Sequence, residues 1–167
     1  MARVSNSSPA LKKRGAHIKV LLMDVDGAMT DGSVTLLSQP DGTALEIKTF
    51  DAHDGQGLTL AQTAGLRTGC ITGRESAALL RRAHEMKMEF IYMKQPIKMP
   101  AYEEIVQKAG VPDSAVAFIG DDLPDIPVMP ARPHLVGIAI NAFAAGIRPS
   151  LTTLAETGAP VVPAASF

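Results

Sequence analysis

The stretch "IKVLLMDVDGAMTDG", residues 18–32, decides the reading of this chain. Its continuous apolar run of Ile, Val and Leu reads as a strand buried on both faces. The run ends in two aspartates one residue apart, Asp24 and Asp26, followed by Gly27 and a Thr30-Asp31-Gly32 turn. Two carboxylates at the end of a buried strand repel each other. Either a cation holds them there, or one of them does chemistry.

Working outward, strands alternate with helices. "SVTLL" (33–37) and "ALEIKTF" (44–50) flank Pro40-Asp41-Gly42, a turn signal, so 33–50 reads as a β-hairpin. "DGQGLTLAQTAG" (54–65) reads as a helix closing on Gly65. Strands are expected over 66–72, 89–93, 114–122 and 135–141. Helices are expected over 74–87, where Leu79, Leu80, Ala83 and Met86 recur at helical spacing, over 98–110, and briefly over 142–147. This alternation predicts an α/β fold, a Rossmann-like three-layer sandwich with a mostly parallel sheet.

In such sheets ligands bind beyond the carboxyl ends of the strands. The first strand ends in Asp24 and Asp26, the second in Thr72-Gly73-Arg74. The third is followed by Lys94 and Lys98, the fourth by Gly120-Asp121-Asp122 with Asp125 three residues on. Three or four carboxylates at one edge call for a hard cation, and Mg²⁺ takes oxygen ligands. Thr72 and Gly73 at a helix start suit an anion, and a lysine adds a point charge. Together they describe a phosphoryl-transfer site, in which a carboxylate could serve as nucleophile.

These residues carry a resemblance. "DVDGAMTDG", "ITGR", Lys98 and "GDDLPD" resemble the four motifs of the haloacid dehalogenase (HAD) superfamily. About 45 residues separate Asp26 from Thr72, and they hold a small β-hairpin insert instead of a cap domain. In this the chain is similar to the capless subgroup that contains the 3-deoxy-D-manno-octulosonate 8-phosphate phosphatase family. "GDDLPDIPVM" and "TGRESAALLRR" match that family too, and the resemblance covers roughly residues 17–141.

The resemblance implies a HAD-like fold and a Mg²⁺-dependent phosphomonoesterase acting on a small sugar-acid phosphate. Asp24 would be nucleophile and metal ligand. Asp26 would bind Mg²⁺ through its backbone carbonyl, while its carboxyl serves as acid and base. Thr72 and Lys98 would hold the phosphoryl group, and Asp121 would complete the protein's metal ligands. Gly73, Asp122 and Asp125 would support them. Arg74 and Arg82, with His53, Asp54, Gly55 and Gly57 of "FDAHDGQG", would contact substrate. Family members form homotetramers through their hairpins, and a tetramer is expected here. The chain departs from the family at His53, where arginine is usual, and at Lys94, where glycine is usual. In place of a Gly-Gly-x-Gly-Ala tail it reads "ETGAPVVPAASF" (156–167).

Plainer readings stand beside these. Thr72 and Asp125 are also natural N-caps. Lys94 competes with Lys98, Arg82 could pair with Glu85 or Glu89, and His53 could be a packed turn residue. Rival functions are a receiver-like signalling domain, disfavoured because 89–93 does not end in aspartate, and a non-catalytic tetramerisation module. A phosphatase for a nine-carbon keto-sugar acid phosphate is a further alternative.

The bulk properties bound the rest. The chain has 167 residues, 46% hydrophobic and 20% charged, which suits one globular domain at 17–167 behind a disordered lead-in at 1–16. A net charge of −1 offers no electrostatic footprint for nucleic acid or an anionic membrane, and neither is expected as a partner. The single cysteine, Cys70, excludes an intrachain disulfide and is expected buried. No apolar run approaches bilayer-spanning length, and a cytoplasmic location is expected.

Overall fold

The computed structural model describes residues 15–129 and 136–139. Five strands form one sheet: β1 (Val20–Met23), β4 (Arg67–Ile71), β5 (Phe90–Tyr92), β6 (Val116–Gly120) and β7 (Val136–Ala139). Every pairing in it is parallel, in the order β5-β4-β1-β6-β7. A separate antiparallel hairpin joins β2 (Thr35–Ser38) to β3 (Ala44–Ile47). Among the described residues the full helices are α1 (Ala52–Thr63), α2 (Ala77–Glu85) and α3 (Lys98–Ala109). Residues 1–14 of the expected lead-in at 1–16, the helix at 142–147 and the tail at 156–167 lie outside the described residues.

The strands pack on both faces because successive side chains alternate. Val20, Leu22, Ile71, Phe90, Val116 and Phe118 meet Ala101, Tyr102 and Ile105 of α3 on one face. Met23 and Cys70 meet Leu58 of α1 and Leu79 and Ala83 of α2 on the other. This is the expected three-layer arrangement. The chain runs from β1 outward through β4 and β5, then returns to β6 on the other side. The strand order therefore reverses at β1, and the crevice of an open α/β sheet opens at that strand's carboxyl end.

Element ends differ from expectation for local reasons. α1 begins at Ala52 rather than 54 because the Asp51 carboxylate accepts from the His53 N–H at 2.6 Å. α2 begins at Ala77 rather than 74 because Ser76 caps it, accepting from the Leu79 N–H at 3.2 Å. Residues 73–75 are thereby left as a turn beside the site. α3 tolerates Pro100 because that residue falls in its first turn. β6 stops at Gly120, freeing Asp121 and Asp122 from the ladder.

The hairpin is almost bare. Leu36, Leu37, Leu45 and Ile47 are 48–59% exposed. Leu37 stands directly opposite Leu45, and Thr35 opposite Ile47, giving one largely apolar face. Glu46, with exposed Leu36 opposite it, and Lys48 one residue beyond the strand stand on the other face, where Lys48 meets Asp26 and Glu46 meets Arg74.

Close approach of β4 to its neighbours predicts one cost. A Cβ on Gly69 would lie 2.5 Å from the Phe90 Cβ and 3.1 Å from Leu22 Cδ2. Gly69→Ala is expected to lose about 1–3 kcal/mol through overpacking, read by denaturant unfolding. An unchanged midpoint would show that the sheet relaxes there.

Candidate active site

The parallel ladder runs one bond beyond β1, since the Asp24 N–H donates to Ile119 O at 2.8 Å. The chain then turns: Val25 O accepts from the N–H groups of Met29 and Thr30 at 2.9 and 3.0 Å. Thr30 Oγ1 draws the turn shut by accepting from the Gly27 N–H at 3.4 Å and the Gly32 N–H at 3.3 Å. Gly27 has φ +102, and a Cβ on it would run into the Asp121 carboxyl. Glycine is required there on both counts, and its absence of side chain lets Asp121 approach β1.

Lys98, the first residue of α3, is 4% exposed and holds the centre. Its ammonium lies 2.6 Å from Asp24 Oδ1 and 2.6 Å from Asp125 Oδ1. The other Asp125 oxygen accepts from the N–H groups of Asp121 and Asp122 at 3.1 Å each. Asp122 in turn caps the 3-10 turn Leu123–Asp125, completing a reciprocal capping box with Asp125. Asp125 is thus both the cap suggested by its position and a buried partner of Lys98. Asp122 is exposed.

Burial raises the Asp24 carboxyl above its ordinary value; Lys98 opposes this and Asp125 adds to it. Burial, then the charges of Asp24, Asp125 and Asp122, push Asp121 up to about 7. Asp24, Asp121 and Asp125 bring carboxylate oxygens within 4.8 Å of one another, a cluster that contains Asp125 rather than the Asp26 side chain. Both Asp125 oxygens are already engaged. Asp121 Oδ1 is buried without a hydrogen-bond partner among the described residues, which costs free energy unless a cation meets it. Hard oxygen donors with one open acceptor fit a divalent ion such as Mg²⁺.

A cleft of about 180 Å³ opens over these groups, lined by Asp24, Asp26, Thr72, Gly73, Arg74, Gln95, Pro96, Lys98, Asp122 and Pro124. Thr72 is buried, held by its N–H to Tyr92 O at 2.9 Å, and its Oγ1 accepts from the Arg74 N–H at 3.2 Å. Lys94 points elsewhere, pairing with Glu75 at 2.6 Å. Its φ of +59 explains why glycine suits that position.

The "FDAHDGQG" residues are not brought into this cleft within one chain. His53, Asp54 and Gly57 line a separate hollow with Leu21, Met29 and Leu58, and Gly55 packs against Arg82. Arg82 is also outside it, donating to Asp51 O at 3.3 Å and lying 3.7 Å from Glu85, its helical neighbour three residues on. Cys70 is buried, and burial pushes its thiol up to about 12, so it packs rather than reacts.

Sequence reading missed the roles of Gly27, Glu46 and Lys48. Lys48 bonds the Asp26 carboxylate, and Glu46 accepts from Arg74 Nη2 at 2.7 Å. The available signal was the two-residue period of the hairpin, which sets Glu46 and Lys48 on one face.

No protein-family model matches the chain. It is 37% identical over 117 residues to the 3-deoxy-D-manno-octulosonate 8-phosphate phosphatase of Yersinia pestis, a match spanning 70% of this chain and 60% of that protein. The chain thus spans about 60% of the length of that curated relative and 63% of its Salmonella typhimurium counterpart. Among solved structures it is similar to the phosphatase of the same name from Moraxella catarrhalis, determined with magnesium, phosphate and KDO. That match has 36% identity and TM-score 0.71, covering 79% of this chain and 72% of that one. The cobalt-bound enzyme from Haemophilus influenzae matches with 31% identity and TM-score 0.67, over 76% of this chain and 71% of that one. On fold, site geometry and these likenesses together, the chain belongs to the 3-deoxy-D-manno-octulosonate 8-phosphate phosphatase family of the HAD superfamily.

Proposed function

We propose that the chain is a Mg²⁺-dependent phosphomonoesterase that hydrolyses a sugar-acid phosphate, 3-deoxy-D-manno-octulosonate 8-phosphate or a close analogue. The observation that carries this reading is Lys98 clamped between Asp24 and Asp125, beside the unpartnered Asp121 oxygen. That arrangement holds a carboxylate, a cation and an open metal-ligand position at the carboxyl ends of two neighbouring strands, β1 and β6. The named relatives support the substrate class.

In this reading Asp24 attacks phosphorus, and the bond from phosphorus to the sugar oxygen breaks. The departing oxygen takes a proton from the Asp26 carboxyl, leaving an aspartyl phosphate on Asp24. Water then attacks that phosphorus and gives its proton to Asp26, and the bond to Asp24 breaks to release inorganic phosphate. Lys98 orients Asp24 and, with Thr72 and the Gly73 N–H, receives the phosphoryl oxygens. Asp24, Asp121 and the Asp26 carbonyl would hold Mg²⁺, which when bound offsets the negative charge of the phosphoryl group.

The bare apolar hairpin supports a homotetramer in which hairpins pack together, since such a face is rarely left in water. No described helix is long and apolar enough to cross a membrane. The buried, unpaired Cys70 fits a reducing compartment, and we place the protein in the cytoplasm.

Phosphate release from a panel of sugar phosphates, with and without Mg²⁺, tests the reading. Mg²⁺-dependent release from an acidic sugar phosphate is expected, abolished by Asp24→Asn; release that survives this change would rule out Asp24 as nucleophile. Lys98→Met is expected to lower kcat by about 10²–10³-fold. It should also cost about 3–5 kcal/mol of stability, because it leaves two buried carboxylates uncompensated.

The raised Asp121 carboxyl has a pH signature. A group whose folded pKa lies above its unfolded value, here about 7 against 3.8, contributes stability below the unfolded value and loses it as pH rises through the folded one. Metal-free protein should therefore lose Tm between pH 5 and 8, Mg²⁺ should restore more at pH 8, and Asp121→Asn should flatten both trends. For assembly, Leu37→Glu with Leu45→Glu should shift the sedimentation coefficient to that of a monomer; unaltered protein that is already monomeric would refute the hairpin interface.

A further inference from the structure

The inner face of the hairpin carries a closed ring of charge. Lys48, with a side chain only 3% exposed, bonds Asp26 Oδ1 and lies 3.7 Å from Glu46 Oε1. Arg74 closes the loop: its Nη2 lies 2.7 Å from Glu46 Oε1 and its Nε 3.7 Å from Asp26 Oδ2. The charges alternate around Asp26, Lys48, Glu46 and Arg74 and sum to zero. Burial by itself would raise the Glu46 carboxyl. Hydrogen bonds from Ser76 and Arg74, and the charges of Lys48 and Arg74, outweigh it and hold Glu46 below its ordinary value.

Each Asp26 oxygen therefore faces a different cation from a different segment, Oδ1 toward the hairpin and Oδ2 toward the turn after β4. A carboxyl that hands a proton to one oxygen and takes one from another must keep its orientation through both steps. Nothing on its own turn does this for Asp26. Lys48 is nearly buried and long, and its ammonium needs the carboxylates it meets there. Glu46 sits two residues back on the same face and braces both cations.

The geometry points to Lys48 as a positioning residue for Asp26, held in turn by Glu46, so that the hairpin completes the proton-transfer apparatus of its own subunit. This rests on the phosphatase reading above, in which Asp26 is the acid and base. A purely structural Lys48, pinning the hairpin to the domain, would predict different kinetics.

The test compares two phosphate esters without a carboxylate: glycerol 1-phosphate, whose alkoxide must be protonated to leave, and p-nitrophenyl phosphate, whose phenolate leaves unaided. Lys48→Met is expected to lower kcat/KM for the alkyl ester about ten-fold or more while leaving that for the aryl ester within about two-fold. Lys48→Arg should recover part of the loss. In the double variant with Asp26→Asn, Lys48→Met should add nothing further to the alkyl loss, because it acts through Asp26. Equal losses on both esters, or full additivity with Asp26→Asn, would overturn the inference while leaving the phosphatase reading intact. No release of phosphate by the unaltered protein would overturn that reading, and this inference with it.

Discussion

The buried ammonium of Lys98 is the constraint around which the rest of the site is arranged. A lysine almost out of water requires more than one partner, because the Coulomb gain must offset the loss of hydration. Asp24 and Asp125 supply it, and they come from opposite sides of the central strand pair. Bringing them to one cation requires β1 and β6 to be neighbours, α3 to start at their carboxyl ends, and the chain after β6 to double back at once. The parallel pairing, the stop of β6 at Gly120 and the capping box of Leu123–Asp125 meet those needs. Gly120 matters for the same reason, since a side chain there would collide with the Asp125 carboxyl.

Burial, and then the negative charges of Asp24, Asp125 and Asp122 around it, disfavour the ionised form of Asp121. Its carboxyl is pushed up to about 7, and one of its oxygens is buried without a partner among the described residues. The fold tolerates this instead of removing it, which is the usual mark of a site built for a ligand. Gly27 shows how the two halves of the cluster are joined. The turn after β1 takes a conformation open to glycine, and the space of the missing side chain is where Asp121 enters.

The hairpin divides its work between two faces. Outward it shows Leu37, Leu45 and Ile47, each about half exposed. Inward it sends Glu46 and Lys48 to Arg74 and Asp26. The two-residue period of a strand makes this possible, because alternate residues point to opposite faces. It also couples them: displacing the hairpin to satisfy one face disturbs the other.

Much was legible in the linear chain. The apolar run before Asp24, the Thr72-Gly73-Arg74 turn and "GDDLPD" declare an α/β sheet with acids and a polar turn at its edge. Each motif is local, and its reading depends on strand burial and residue type alone. In the sequence the family resemblance alone favours Lys98 over Lys94; the burial of Lys98 between two carboxylates, and the double duty of Asp125, required the folded chain, since two lysines four residues apart are alike until one is buried. His53, Asp54, Gly57 and Arg82 carried family expectations, yet within one chain they stand apart from the cleft. A residue's place at a helix start says nothing about which side of the sheet that start faces. The roles of Gly27, Glu46 and Lys48 went unread because they lie in contacts across 22 to 94 residues of sequence, with Lys48 meeting Asp26 and Gly27 making room for Asp121. Sequence by itself determined the chemical inventory and the strand ends that hold it, because those follow from local periodicity. Only the tertiary structure decided which cation meets which anion, because ion pairing is a matter of distance in space and exclusion of water, and neither is written in the order of residues.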